Sequence, residues 1–264
     1  MKRTIYDGKN IILLQLVGRK VGQMSNQNLL VISNGMTVGD KDFSIPREAD
    51  FKKYGYVLAM FFKKECVSLT MANEELAEYV NNQKNCFSKV VFYGCGIAGL
   101  VFYNALALID RPVTLVGVSI PFGGCFWANH WRVRKMLWRN YSFFGKLFKW
   151  WHYWISKRTY SKTPFDSEIV IGSKYLNATK KLEIPSFHVF VNVVTHTYSV
   201  ERELRRRNFT DAVYAFLNKL ARYKNGNGIF SVISQTVVHG RAISIHANYK
   251  DSFDKGRIVL NMYV

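Results

Sequence analysis

Lys89-Val90-Val91-Phe92-Tyr93-Gly94-Cys95-Gly96-Ile97-Ala98-Gly99 passes from an apolar run straight into three glycines spaced G-x-G-x-x-G, and Leu100 to Ile109 continues as an apolar, helix-like segment. The pattern predicts a strand, a sharp turn and a helix. Working outward, Pro112 to Ser119 reads as the next strand, and Tyr56 to Phe62 as a buried strand upstream. Ile11 to Leu14 and Leu29 to Ile32 are short apolar runs of the same kind, the second ending in the turn signal Ser33-Asn34-Gly35. Ala72 to Gln83, with Glu74, Glu75 and Glu78 among Ala and Leu, reads as a helix. Downstream, Phe187 to Val194 predicts a strand and Phe209 to Tyr223 an amphipathic helix capped by Thr210 or Asn208. Asn225 to Gly228 predicts a turn, and Ile229 to Val238 a further strand. Alternating strands and helices argue for a mostly parallel sheet with helices on both faces.

The 264 residues suit one α/β domain spanning 1–264, and 48% hydrophobic against 21% charged residues is enough to bury a substantial core. No run of about 18 uncharged apolar residues predicts a spanning helix. Asp7 and Lys9 interrupt what would be a signal core, so a cytoplasmic location is expected. Cys66, Cys86, Cys95 and Cys125 have no C-x-x-C spacing and no paired histidines nearby, so free thiols rather than a metal site are expected. Thirty-seven Lys and Arg against eighteen Asp and Glu give a net charge of +19, a field that attracts anionic lipid, nucleic acid or a polyanionic glycan.

The glycine turn supports two readings. As a dinucleotide-binding turn, Gly94 makes the tight bend, Gly96 admits a pyrophosphate to the backbone and Gly99 allows close helix packing. The run from Lys89 to Gly124 resembles the opening of flavin-dependent oxidoreductases, through Gly-Ile-Ala-Gly-Leu and the later Pro121-Phe122-Gly123-Gly124. The ribose-binding acid expected after the next strand is replaced by Val116-Gly117-Val118, and nearly ninety residues precede the motif. No bound cofactor is therefore expected.

The second reading accounts for those preceding residues. Phe92 to Gly99 resembles the nucleophile elbow of α/β-hydrolases, and in particular that of bacterial hydrolase-like proteins of surface-glycan and accessory-secretion systems. The resemblance implies that Gly96 takes the serine position, so the elbow is degenerate. It implies oxyanion donors at Asn34, Gly35 or Met36, after the Leu29 strand, and at Ile97. Cys95, one residue from the elbow centre, is the candidate thiol nucleophile, with a buried structural thiol as the other reading. Hydrolase order places the acid at Glu201 or Glu203 and the base at His239 or His246, with Glu201 and His239 preferred. Arg202, Arg205, Arg206 and Arg207 favour a solvated charged face for those glutamates, and His188 and His196, in or just after a strand, read as ordinary core or surface imidazoles.

From Arg111 to Phe165 there is no acidic residue, and all six tryptophans fall between Trp127 and Trp154. Residues 125–165 are expected to form a helical, basic, aromatic lid. Trp and Tyr suit a membrane interface and Lys and Arg suit anionic headgroups, so Trp150, Trp151 and Trp154 are the membrane-binding candidates. Packing on the sheet, sugar binding and stacking on single-stranded nucleic acid are the competing readings. The expectation is an α/β-hydrolase-like protein with a degenerate nucleophile position, peripheral to the inner membrane face, in glycan or lipid ester metabolism. The alternatives are a flavin- or nicotinamide-dependent oxidoreductase and a non-catalytic binder of anionic membrane or polyanion.

Overall fold

The computed structural model describes residues 3–18, 27–38, 46–66, 68–83, 86–125, 128, 165–197, 226–227, 230–236 and 241–263. Eight strands form one sheet: β1 (Arg3–Asp7), β2 (Ile11–Val17), β3 (Gln27–Ser33), β4 (Tyr56–Phe62), β5 (Phe87–Cys95), β6 (Val113–Val118), β7 (Val189–His196) and β8 (Arg241–His246). Their spatial order is β1-β2-β4-β3-β5-β6-β7-β8. β1 and β2 are antiparallel to each other, β2 is antiparallel to β4, and every later pairing is parallel. β4 is buried along its whole length and β5 is buried from Val90 onward, as expected for parallel strands covered on both faces.

Alternate residues divide the core into two layers. Leu29, Val31, Val90, Phe92 and Leu115 face one side and pack with α1 (Leu69–Asn82) and α2 (Ile97–Leu106). Leu30, Ile32, Val91, Tyr93, Cys95, Val116 and Val118 face the other, where Val259 and Leu260 of the C-terminal helix close the layer. α1 buries Leu69, Ala72, Leu76, Ala77 and Val80, a helical stripe, and Ser68 caps it by accepting a hydrogen bond from the Thr70 N–H. The Glu168 carboxylate also accepts from the Leu69 N–H at 2.8 Å, placing negative charge at the positive end of the helix. Glu168 belongs to α3 (Asp166–Ile169), which is followed by α4 (Lys174–Lys180).

The segment expected as a lid opens at Cys125, and its end at Phe165 returns to the core. Cys125 donates its N–H to Ile169 O at 2.8 Å and forms a bridge with Val170, while Phe165 stacks against Phe62 with ring centroids 4.8 Å apart. The ends of the 125–165 segment are therefore held side by side. Its basic residues and its tryptophans, including Trp150, Trp151 and Trp154, lie outside the described residues, as does the expected helix at 209–223.

One expected strand is replaced. Within 229–238 the chain forms a short helix, α5 (Val232–Gln235), because the Ser231 hydroxyl caps it by accepting from the Ser234 N–H and the polar Gln235 side chain turns inward. The last strand is β8, and α6 (Tyr249–Leu260) follows it, capped by Asn248, which accepts from the Asp251 N–H. Among the described residues no helix is long and apolar enough to cross a membrane.

The antiparallel end of the sheet is tied down by one carboxylate. Glu75, on α1, accepts hydrogen bonds from the Asn10 N–H at 3.0 Å, the Asn10 side-chain amide at 2.6 Å and the Ile11 N–H at 3.2 Å. Replacement by alanine orphans donors at the turn where the chain enters β2. Glu75→Ala is expected to lower the unfolding free energy by about 2–3 kcal/mol, read from urea denaturation.

Candidate active site

β5 ends at Cys95 and α2 starts at Ile97, which leaves Gly96 alone to turn the chain. Its backbone sits at φ 59°, ψ −124°, a left-handed conformation that L side chains rarely adopt. The Gly96 N–H donates to Val118 O at 2.9 Å and its carbonyl accepts from the Leu100 N–H at 3.3 Å, so both sides of the turn are pinned.

Gly94 and Gly99 let α2 lie directly on β5. A Cβ on Gly94 would stand 3.0 Å from the Gly99 backbone and 2.6 Å from the Phe102 ring. A Cβ on Gly99 would stand 2.5 Å from Ile120 and 3.2 Å from the Gly94 carbonyl oxygen. Strand–helix packing thus accounts for both glycines. The residue after β6, where a dinucleotide fold would place its ribose acid, is Ser119, a fully buried hydroxyl bonded to Thr195.

The loop after β3 arrives beside the elbow. A Cβ built on Gly35 (φ 79°) would lie 3.3 Å from Cys95 O, 3.8 Å from Ile97 N and 3.7 Å from Ala98 N. The candidate oxyanion residues Gly35 and Ile97 are thereby neighbours. The Gly35 N–H donates to Ser33 Oγ at 3.3 Å and the Met36 N–H to Asn34 Oδ1 at 3.4 Å, so Asn34 shapes the loop through its side chain.

Cys95 shares the opposite face of the sheet with Tyr93, Val91 and Val118. It is 3% exposed, and burial in apolar surroundings pushes its thiol up to about 12. His246 is the last residue of β8 rather than part of a loop after it, and its ring lies against His196 at 6.1 Å. His188 accepts from the Val113 N–H at 3.2 Å at the far end of β6, and burial lowers its pKa. Glu201, Glu203 and His239 lie outside the described residues.

Two residues that the sequence reading missed face the elbow. The direction in which a side chain at position 96 would project leads to the Tyr249 hydroxyl, 3.3 Å from a Cβ there, to Tyr249 Cε2 at 3.5 Å and to the Phe230 ring at 3.6 Å. Asn227 positions both: its carbonyl accepts from the Tyr249 N–H at 2.8 Å and its side-chain oxygen accepts from the Phe230 N–H at 2.9 Å. Its amide donates to Thr195 Oγ1 at 2.9 Å, at the end of β7. Gln235 completes the cluster, accepting from the Thr195 N–H at 2.8 Å and donating to Thr195 O at 2.9 Å and Phe230 O at 3.1 Å. Tyrosine, asparagine and glutamine are not the acid or base of a hydrolase triad, so a search of the sequence for a triad passes over them.

The fold has counterparts among solved structures. The mature form of the Bacillus licheniformis lipase BlEst2 is similar with a TM-score of 0.55 at 12% identity, over 98% of this chain and 98% of that one. The propeptide form of that lipase is similar with a TM-score of 0.54 at 12% identity, over 95% of this chain and 52% of that one. No protein-family model matches the sequence, and no curated protein sequence does. The chain has the α/β-hydrolase fold, and Gly96 stands at the strand-to-helix turn on which that fold carries its elbow.

At pH 8 a thiol pushed up to about 12 is ionised in only about one molecule in ten thousand, and only the thiolate is nucleophilic. Iodoacetamide is expected to leave Cys95 unmodified in the folded protein and to reach it in urea, while the half-buried Cys86 reacts first. Peptide mapping by mass spectrometry reads the order.

Proposed function

We propose that this is a hydrolase-fold protein whose elbow has lost its covalent nucleophile, and which acts at an anionic membrane surface in glycan or lipid ester metabolism as a binding partner rather than an esterase. The observation that carries this reading is Gly96 itself. It holds the left-handed conformation of an elbow with no side chain to aim. Its neighbour Cys95, the candidate nucleophile, points into the core with its thiol protonated. Covalent catalysis needs a nucleophile and a base within hydrogen-bond reach of each other. The pair at this turn is a glycine and a phenol.

The membrane part of the proposal rests on charge and composition. A net charge of +19 draws the protein toward anionic surfaces, and the lid proposed for residues 125–165 supplies interfacial tryptophans. The coulombic contribution decays over about 8 Å at physiological ionic strength, whereas tryptophan insertion does not depend on salt in that way.

Two measurements test the proposal. The purified protein is expected not to hydrolyse short-chain nitrophenyl esters above background, and Cys95→Ala to make no difference. Hydrolysis that survives Cys95→Ala would sink the assignment of Gly96 as an empty nucleophile position. Binding to phosphatidylglycerol vesicles is expected to weaken as salt rises, and to weaken further when Trp150, Trp151 and Trp154 become alanine. Neutral vesicles are expected to bind poorly throughout. Indifference to anionic vesicles at low salt would remove the membrane role.

A further inference from the structure

We infer that Tyr249 holds the place of the general base: Gly96 and Tyr249 are the two halves of a converted nucleophile–base pair. The inference rests on the reading of Gly96 as the elbow's nucleophile position and adds the identity of its partner.

The geometry is direct. A general base must come within hydrogen-bond reach of the nucleophile. A side-chain oxygen one bond beyond a Cβ at position 96 would fall within that reach of the Tyr249 hydroxyl, which stands 3.3 Å from the Cβ. Chain order agrees, because Tyr249 follows β8, the stretch of a hydrolase fold from which the base comes. Of the two histidines offered by the sequence, His246 sits within β8, and His239 lies outside the described residues.

Tyr249 is also held in place as a base would have to be. Its N–H is fixed by Asn227 O at 2.8 Å, its ring makes an edge contact with Phe230 at 5.4 Å, and Asn248 caps the helix it opens. Behind it lies a neutral cluster of Thr195, Asn227, Gln235 and Ser252, each fully buried. Among those described residues the support behind the base position is an amide and hydroxyl network rather than a carboxylate. A phenol both donates and accepts hydrogen bonds. A hydroxyl therefore stands where a hydrolase carries an imidazole.

The test installs a reporter thiol. Gly96→Cys is prepared with Tyr249 retained, with Tyr249→Phe and with Tyr249→His, and iodoacetamide modification of position 96 is followed against pH, with fragment ions separating it from Cys95. An imidazole at the base position stabilises the thiolate, so Gly96→Cys/Tyr249→His is expected to react about ten times faster at pH 7 than the other two, one pKa unit being a factor of ten. Rates equal within a factor of two in folded proteins would overturn the inference.

A gentler pair keeps the question open to refutation if the thiol variants do not fold. Gly96→Ala is expected to lower the melting temperature less in a Tyr249→Phe background than with Tyr249 present, because the added methyl meets the hydroxyl first. Additive shifts would overturn the inference. Either failure leaves Gly96 as an empty nucleophile position, which only ester hydrolysis by the unmodified protein would contradict.

Discussion

The close approach of α2 to β5 is the constraint on which the rest of the site depends. Gly94 and Gly99 remove the two Cβ atoms that would otherwise keep helix and strand apart, and Ile120 and Phe102 fill the space on either side. Because the helix lies so close, the chain must reverse within one residue, and Gly96 is driven into the left-handed region. The start of α2 then falls where the loop after β3 can reach it, so a Cβ on Gly35 would lie within 4 Å of Cys95 O and of the Ile97 and Ala98 nitrogens. Strand order places β3 and β6 on the two sides of β5, and the elbow takes its walls from both.

The second organising element is polar. The carboxyl ends of β6 and β7 meet in a cluster of Ser119, Thr195, Asn227, Gln235 and Ser252, all buried and none of them ionisable near neutrality. Buried polar groups are tolerated when paired, and here each side chain has a partner within the cluster or on the adjacent backbone. The cluster works as a bracket. Asn227 fastens Phe230 and Tyr249 to the end of β7, and those two rings are the nearest described groups to a Cβ at Gly96. A neutral bracket holds the same geometry across a wide range of pH, unlike one built on a carboxylate and an imidazole.

The parts of this architecture legible in the sequence are those carried by local pattern. Tyr56–Phe62 is a strand with the bounds expected for it, and the glycine turn sits between a strand and a helix as its spacing implies. The β3 turn at Asn34-Gly35 could be read as lying beside the elbow because hydrolase order puts it there. Tertiary context decided the rest. Ile229–Val238 has the composition of a strand, but Ser231 and Gln235 find partners that only a capped turn of helix supplies. β1 and β8 are short and partly exposed, so no apolar run announces them. Tyr249 was illegible for a different reason. Its role depends on which residue it faces, and the residue type alone gives no sign of it.

The conformation of Gly96 also bears on what maintains an elbow. In an active hydrolase the strain of that turn is tolerated because it exposes a nucleophile. Glycine adopts the same angles at little cost, so the shape here does not require catalysis to explain its persistence. The turn is held by its neighbours: Val118 O accepts from the Gly96 N–H, and the Leu100 N–H donates to the Gly96 carbonyl. Those contacts belong to the sheet and to α2, and breaking them would disturb the core on both faces. An elbow built this way does not need a nucleophile to keep its geometry. In this protein the space in front of the elbow faces a phenol and a phenyl ring, both fixed by one asparagine.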